Sequence, residues 1–239
     1  MISADQAWQI AERFAREAAG LLGPDLLAVY VVGSLAGGGY RPGRSDIDTI
    51  LIVTDDCPAV VKATVRDLRK RYRDAYAIPK DVGAVLMWER ELFPPLDPTR
   101  ELVPEILRLK HQGVLIWGTY YLARVPEPSP EDFKGYARVF YPWLRAGIDQ
   151  RPAEWRTVEA TVNTVLYELR LWVWEKTGVY VLDKRRVIPA LLDLVNAGEL
   201  EPIRRYVDGN EEGLCLEEAE RVLQRISAMV REAVPWSVL

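Results

Sequence analysis

Two aspartates spaced two residues apart are the residues of this sequence best suited to chemistry. Asp46 and Asp48 stand in the segment Ser45-Asp46-Ile47-Asp48, which leads into an apolar run. Alternate side chains of a β-strand face the same way, so both carboxylates are expected on one face and Ile47 in the core. Two carboxylates held this close repel each other, and a divalent cation between them removes the repulsion. Oxygen ligands of this kind favour Mg²⁺, which keeps coordination positions for substrate phosphates.

A Gly-Ser pair precedes the aspartates at the end of another apolar run. Gly33 lets the backbone approach a ligand closely, and the Ser34 hydroxyl and neighbouring N–H groups can bind phosphate oxygens. The glycine-rich stretch 37–39 permits the turns that bring Ser34 beside the aspartates. An Asp-x-Asp at a strand start is common in solvated turns. The whole combination of strand, Gly-Ser, glycine-rich loop and Ser-Asp-Ile-Asp is far more specific, and it predicts a catalytic site.

A centre with two metal ions usually includes a third carboxylate from an adjacent strand. Asp81 opens the apolar run 81–87, and we predict that it binds the first metal and acts as general base for an attacking hydroxyl. One metal would activate that hydroxyl, and the other would steady a triphosphate and the departing pyrophosphate. The alternative role for Asp81 is a connection between helix and strand. Glu89 and Glu91 are weaker candidates for the third carboxylate.

Cationic candidates lie in the second half of the chain. Arg170 interrupts an apolar helical stretch, so its charge needs a partner, which is either a phosphate or a carboxylate such as Glu168 or Glu175. Lys184 is followed by two arginines and begins a predicted helix. It either reaches the triphosphate or belongs to a solvated cluster of charges.

A possible acceptor-binding face precedes Arg170. Trp155, Glu159 and Asn163 recur at intervals of four residues, so on one helix they share a face. If that face lines the acceptor site, Glu159 could meet a cationic sugar and Trp155 could stack on it. The alternative is an ordinary amphipathic helix.

The elements that must position these residues divide the chain into two halves. The first half alternates predicted strands with helices, and we predict a small mixed sheet flanked by helices: strands at 26–32, 46–53, 81–88 and 114–117, and helices at 4–21, 59–76 and 101–111. Three prolines within residues 126–130 indicate a linker. Helical periodicity then recurs at 131–147, 155–177, 183–196 and 216–232. We therefore predict an α+β protein with a first domain at 1–125 and a C-terminal helical bundle at 126–239.

Composition narrows the class of partner. The 239 residues carry a net charge of −4, which weakly disfavours nucleic acid and suits a small or cationic partner. No apolar run approaches the ~20 residues of a membrane helix, and no signal peptide is visible. Cys57 and Cys215 lie in no metal-ligand spacing, which favours reduced thiols in a cytoplasmic protein. The sequence leaves a monomer and a homodimer equally open.

The motif around the aspartates resembles that of a known superfamily. Residues 31–34 and 45–48 resemble the signature of the polymerase-β nucleotidyltransferases, which is an apolar residue, Gly-Ser, a spacer and Asp-x-Asp. More of the chain is similar to the streptomycin/spectinomycin adenylyltransferases, which modify aminoglycosides. That similarity rests on residues 110–118, on the helix from Asn163 to Arg170, and on Thr177-Gly178 followed by Lys184.

The resemblance implies an N-terminal nucleotidyltransferase domain with a helical C-terminal domain. It also implies ATP as donor, two Mg²⁺ ions, transfer of AMP to an aminoglycoside hydroxyl, and release of pyrophosphate. Ser34, Arg170 and Lys184 would then contact the nucleotide phosphates. The sequence departs from the family at three points. The family has Glu where Asp81 stands, and its connection corresponding to Met87 to Glu101 is longer. The family's drug-contacting tryptophan in that connection has no clear counterpart, since Trp88 falls elsewhere.

Two other functions remain open at the level of the sequence. The first is transfer of AMP to a protein hydroxyl, as in toxin–antitoxin nucleotidyltransferases, although the minimal antitoxin versions lack a helical C-terminal domain. The second is a nucleotide-binding regulatory module without turnover. The three predicted carboxylates favour an enzyme over this module.

Overall fold

The computed structural model describes residues 1–76, 78, 82–149, 156–191, 197–209 and 213–233. The chain forms two compact units, Met1–Asp132 and Phe133–Leu239. A mixed sheet with helices makes up the first unit, and the described part of the second is helical. The α+β class predicted from the sequence is thereby confirmed. The domain boundary at residues 125 and 126 stays a prediction.

Four strands form the sheet of the first unit, in the order β3-β2-β1-β4. β1 runs antiparallel to both β2 and β4, whereas β2 and β3 are parallel. A parallel pair needs a crossover, and the helix between β2 and β3 supplies it. The strands are β1 Leu26–Val32, β2 Ile47–Val53, β3 Val82–Trp88 and β4 Val114–Gly118.

Helices cover both faces of this sheet. One buried cluster joins the first and third helices to the sheet face that carries Ile47, and the other joins the fourth helix to the face that carries Ile50 and Ile52. Ser3 and Gln6 form a capping box at the start of the first helix. The helices are α1 Ala4–Leu22, α2 Gly33–Ala36, α3 Val61–Tyr76 and α4 Leu102–Gln112, with 3₁₀ turns at Gly23–Asp25 and Glu89–Leu92.

The described helices of the second unit include α6, in which 12 of the 20 residues are buried. Its apolar side chains pack all round rather than on one stripe, as expected of a central helix. The helices are α5 Pro130–Asp149, α6 Val158–Thr177, α7 Lys184–Val187, α8 Ala197–Asp208 and α9 Leu216–Ala233, with a 3₁₀ turn at Pro189–Leu191. None of the described helices has the length and apolarity needed to cross a membrane.

Several element limits differ from those predicted. α6 begins at Val158 rather than 155, because the Thr157 hydroxyl caps it by accepting the Ala160 N–H at 3.2 Å. The prediction of a single helix at 183–196 is wrong for the described residues. The helix there ends at Val187, and a 3₁₀ turn begins at Pro189, because proline lacks the N–H that a continuing helix needs. α8, which contains a proline, was not predicted.

Candidate active site

Asp48 occupies a central position in the sheet of the first unit. It lies opposite Val32 on the antiparallel neighbour β1 and opposite Gly83 on the parallel neighbour β3. Ile47 is fully buried on the other face of β2, as predicted. Thr49 shares that burial, and its hydroxyl donates to the Gly83 carbonyl at 2.9 Å, which ties β2 to β3 beside the carboxylate.

The Asp48 carboxylate lies between two glycines. A Cβ built on Gly33 would lie 2.4 Å from Asp48 Oδ2, and one built on Gly83 would lie 3.0 Å from Asp48 Oδ1. Gly33 also has a φ of +69°, a conformation that side chains disfavour. The first residue after β1 and the facing residue of β3 therefore both lack a side chain at the point where the carboxylate needs space.

Asp46 is half-buried and immediately precedes β2. A turn from Arg41 to Ser45 fixes the chain before it: the Ser45 N–H donates to the Arg41 carbonyl at 2.9 Å, and the Ser45 hydroxyl accepts the Arg41 N–H at 3.0 Å. Burial, and after it the negative charge of Asp46, raises the pKa of Tyr40. This effect indicates that the Tyr40 phenol lies near the Asp46 carboxylate.

Two buried hydroxyls in this segment lack partners. Ser34 Oγ and Tyr40 OH are both inaccessible to solvent, and neither has a hydrogen-bond partner within the described part of the chain. A buried polar atom without a partner costs about 1–3 kcal/mol, so such atoms point to a group that binds there. Ser34 directly follows Gly33, against which the Asp48 carboxylate lies.

The third predicted carboxylate, Asp81, lies outside the described residues. It comes directly before Val82, which pairs with Ile47 at the start of the parallel ladder. Glu89 and Glu91, the weaker candidates for the third carboxylate, lie far from Asp48. Glu89 is six residues along the chain from Gly83, which is a distance of about 20 Å, and Glu91 follows it. Glu89 accepts the Tyr121 hydroxyl at 2.9 Å instead, and Glu91 pairs with Arg100.

The oxygen donors of this site fit Mg²⁺. The described part of the chain includes Asp46 and Asp48 but not Asp81, and it contains no group of three His, Cys, Asp or Glu side chains that could hold a metal. The carboxylates of Asp46 and Asp48 and the hydroxyl of Ser34 are nevertheless oxygen donors of the kind that Mg²⁺ takes together with substrate phosphates.

In the second unit, two of the predicted site residues contact each other. The Lys184 ammonium donates to Asn163 Oδ1 at 2.9 Å, which joins the start of α7 to the side of α6. Glu159 lies one turn before Asn163 on the same helix and is half-buried. Trp155 lies outside the described residues, so the structure describes two of the three side chains of the predicted face, Glu159 and Asn163.

Arg170 is buried, with 4% of its surface exposed. Its guanidinium donates to the Val181 carbonyl at 2.9 Å and to the Leu182 carbonyl at 2.8 Å, and it lies over the Tyr167 ring. The partners of Arg170 are thus backbone carbonyls rather than the carboxylates considered from the sequence. A phosphate would have to share the guanidinium with these two carbonyls.

Two site features were missed by the sequence reasoning. Gly83 could have been recognised, since a glycine inside a strand marks a bulge or a close approach. Tyr40 carried no such signal, because an aromatic residue in a glycine-rich loop is compatible with many roles.

Comparison with known proteins supports the fold. No protein-family model and no curated protein matches the sequence. Among solved structures, the chain is similar to the spectinomycin adenyltransferase AAD(9) of Enterococcus faecialis, solved with ATP and spectinomycin: the identity is 15%, the TM-score is 0.67, and the match covers 95% of this chain and 99% of that one. The fold that the family resemblance implies, a mixed sheet with helices followed by a helical C-terminal part, is thereby confirmed.

Weaker matches involve toxin–antitoxin proteins. A toxin–antitoxin solved with AMP-PNP has a TM-score of 0.31 at 16% identity, and a mutant of the toxin–antitoxin MntA-HpeT has 0.30 at 15%. Each match covers 59% of this chain and 92% of the other.

Proposed function

We propose that the protein transfers AMP from ATP to a hydroxyl of a small acceptor in a Mg²⁺-dependent reaction that releases pyrophosphate. The observation that carries this proposal is the Asp48 carboxylate held between Gly33 and Gly83, next in the chain to the unsatisfied Ser34 hydroxyl. The Asp48 carboxylate fills the space that side chains at these two positions would take, and we propose that its oxygens bind the metal of a metal–triphosphate.

Four residues of the first unit have distinct roles in the proposed reaction. Asp46 and Asp48 hold the metal, and the Ser34 hydroxyl donates to a phosphate oxygen. Bound Mg²⁺ supplies positive charge that neutralises the triphosphate and the leaving pyrophosphate. Asp81 accepts the proton of the acceptor's hydroxyl group. The hydroxyl oxygen bonds to the α-phosphorus of ATP, and the bond from that phosphorus to the oxygen bridging to the β-phosphate breaks, which releases pyrophosphate.

The second unit contributes further proposed contacts. Lys184 and Arg170 bind nucleotide phosphates, as the family resemblance implies, and both have side chains already fixed by hydrogen bonds. Glu159, Asn163 and Trp155 bind the acceptor. A carboxylate such as that of Glu159 suits a cationic acceptor, because opposite charges attract most strongly in partly buried sites.

For the acceptor we propose an aminoglycoside. The support is the structural similarity to a protein whose solved complex contains ATP and spectinomycin. We place the reaction in the cytoplasm, where ATP and Mg²⁺ are supplied together. Cys57 and Cys215 are both free thiols, which is compatible with a reducing compartment.

Pyrophosphate release tests the proposal directly. Purified protein is incubated with ATP, Mg²⁺ and each member of a panel of aminoglycosides. We expect release with at least one acceptor, and a loss of about 100-fold or more in Asp46→Asn, Asp48→Asn and Asp81→Asn, because each removes a carboxylate from the site. Asp67→Asn, an aspartate exposed on α3, serves as the matched control and should leave the rate unchanged.

Two results would overturn parts of this proposal. Absence of pyrophosphate release across the panel would exclude the aminoglycoside class of acceptor. Tight ATP binding without turnover, unchanged by Asp48→Asn, would contradict nucleotidyl transfer and favour a regulatory nucleotide-binding module.

A further inference from the structure

A basic groove runs along the outer edge of β3, the strand at one end of the sheet. Its volume is about 250 Å³. Four cationic side chains line it, together with the strand itself, and all of them belong to the first unit: Lys62, Arg66, Arg69 and Arg100, with Ala84 and Leu86 on the floor. We call this feature the β3 groove.

The strand edge in the β3 groove is open at one residue. Arg69 Nε donates to the Val82 carbonyl at 3.1 Å, and Arg100 Nη2 donates to the Leu86 carbonyl at 3.2 Å, so these carbonyls point away from β2. Because backbone orientation alternates along a parallel strand, the N–H and C=O of Ala84 face the same way. Neither has a partner among the described residues, so this edge can accept the backbone of an extended peptide.

The cations of α3 match the spacing of such a peptide. Lys62 and Arg66 are one helical turn apart, which places them about 6 Å apart along the axis. Alternate side chains of an extended chain are separated by ~6.6 Å. Carboxylates on alternate residues of a docked strand would therefore meet Lys62 and Arg66 in turn.

Positive charge is concentrated here although the whole chain is acidic, with a net charge of −4. Lys62 Nζ lies 5.2 Å and Arg100 Cζ 5.4 Å from the centre of the Trp88 ring, which helps to hold both side chains in place. Among the described residues, two of the groove cations have carboxylate partners: Arg100 pairs with Glu91, and Arg66 lies 3.6 Å from Asp67, most of whose side chain is exposed.

The need to protect the sheet edge from unwanted strand pairing accounts for the positions of only two of the four cationic side chains. Charged side chains on an edge strand prevent unwanted pairing, and Arg69 and Arg100 do this by occupying the Val82 and Leu86 carbonyls. Lys62 and Arg66 contact no carbonyl of β3, so the protection does not need them. Because Lys62 and Arg66 line the same groove as Ala84, they favour an anionic ligand there.

We propose that the β3 groove docks an extended acidic segment of a partner protein. The backbone of the segment pairs with the N–H and C=O of Ala84, and carboxylates on its alternate residues meet Lys62 and Arg66. A nucleic acid would satisfy the cations but not the strand edge, and for this reason the structure favours a peptide. The proposal stands independently of nucleotidyl transfer.

Fluorescence anisotropy with labelled peptides tests the charge and the spacing. The probe is an octapeptide of alternating Glu and Thr, compared with a block peptide of the same composition and with alternating Lys and Thr. We expect salt-sensitive binding of the alternating acidic peptide, weakened about tenfold or more by Lys62→Gln with Arg66→Gln. Arg16→Gln with Arg71→Gln removes the same charge elsewhere and should leave binding unchanged, with thermal unfolding as the check on folding.

Amide hydrogen exchange tests the strand pairing. We expect slower exchange of the Ala84 N–H when the alternating acidic peptide is bound. Equal binding of the block peptide, equal weakening by both double variants, or unchanged exchange at Ala84 would each overturn the proposal. Binding of a single-stranded oligothymidylate in preference to the peptide would identify the groove as a nucleic-acid surface instead.

Discussion

The space around Asp48 is created by two side chains that are missing. Gly33, which directly follows β1, and Gly83 in β3 flank the carboxylate, and a methyl group on either would approach an Asp48 oxygen to 3.0 Å or less. A carboxylate that must bind a metal needs a fixed position and an open side. The glycines make room for the carboxylate, while the paired strands fix its position.

Gly33→Ala should abolish activity, and its small loss of stability should not account for that effect. The new Cβ would lie 2.4 Å from Asp48 Oδ2 in a residue with φ +69°. Gly38 is the matched control, because its φ is +71° but no atom lies within 4 Å of its Cβ position. Both variants should lose about 1 kcal/mol of stability from backbone strain, measured by denaturant unfolding. Only Gly33→Ala should also lose pyrophosphate release, and similar activity in the two variants would contradict this account.

Ser34→Ala should leave the ligand-free protein as stable as before or slightly more stable. Its buried hydroxyl makes no hydrogen bond among the described residues, so removal relieves up to about 1 kcal/mol of desolvation cost. The increase in melting temperature caused by Mg²⁺ and ATP should shrink, since the phosphate loses a donor. Ser45→Ala is the control: it removes a hydroxyl that accepts the Arg41 N–H, and it should lower the melting temperature. Destabilisation of ligand-free Ser34→Ala would show that the hydroxyl has a partner.

At the scale of elements, α4 carries a buried carboxyl group, that of Glu105, whose ionised form is destabilised by burial. Glu105 is buried with 8% of its surface exposed, and its Oε2 has no hydrogen-bond partner in the described part of the chain. Burial raises the pKa of Glu105, although the charge of Arg108 opposes the shift. The pKa of Glu101, one turn earlier, is raised for the same reason.

Stability should therefore fall as pH rises above the ordinary glutamate pKa of 4.5. The folded chain holds the Glu105 proton more tightly than the unfolded chain does, so the stabilisation is complete below 4.5 and is lost as pH rises through the raised folded pKa. Within that window, the free energy of unfolding falls by about 1.4 kcal/mol for each unit by which the pH rises. Glu105→Gln should flatten this part of the curve in urea unfolding at several pH values, whereas Glu12→Gln on the surface of α1 should not. An unchanged slope in Glu105→Gln would contradict the burial argument.

Element types were predictable from the sequence, but several limits were not. The strands and the helices of the first unit have strong periodicity, and their predicted positions agree with the structure to within about two residues. The helix expected at 183–196 failed because Pro189 interrupts the periodic pattern, and apolar spacing alone does not register a missing N–H. The start of α6 depended on the Thr157 cap, which the longer periodic pattern obscured.

At the scale of the whole molecule, the sequence identified the motif better than the residues that shape it. Gly-Ser and Asp-x-Asp are local patterns, so they are visible in the chain. The contact of Gly33 and Gly83 with one carboxylate depends on strand order and register, which arise only when β1 and β3 pair with β2. Arg170 was expected to need a charged partner, yet the fold supplies two carbonyls from a loop whose path the sequence does not reveal.

The first unit contains everything its core needs. Both buried clusters on the sheet consist of residues no later than Val125, and each sheet face has its own covering helices. A unit with a self-contained core can fold alone. Residues 119–125 belong to this core: Tyr121 is 4% exposed, its N–H donates to the Tyr30 hydroxyl at 2.6 Å, and its own hydroxyl donates to Glu89.

A fragment of residues 1–132 should accordingly unfold cooperatively on its own, whereas a fragment of residues 1–118 should not. The shorter fragment loses Tyr121 and Val125 from the core, and loss of two large buried side chains costs several kcal/mol, about 3–5 for an aromatic one alone. That loss is comparable to the whole stability of a small domain. Circular dichroism melts and amide dispersion in NMR spectra measure the difference. If the fragment of residues 1–132 melts without a cooperative transition, the first unit depends on the second, and folding of the sheet cannot be separated from the helical half of the chain.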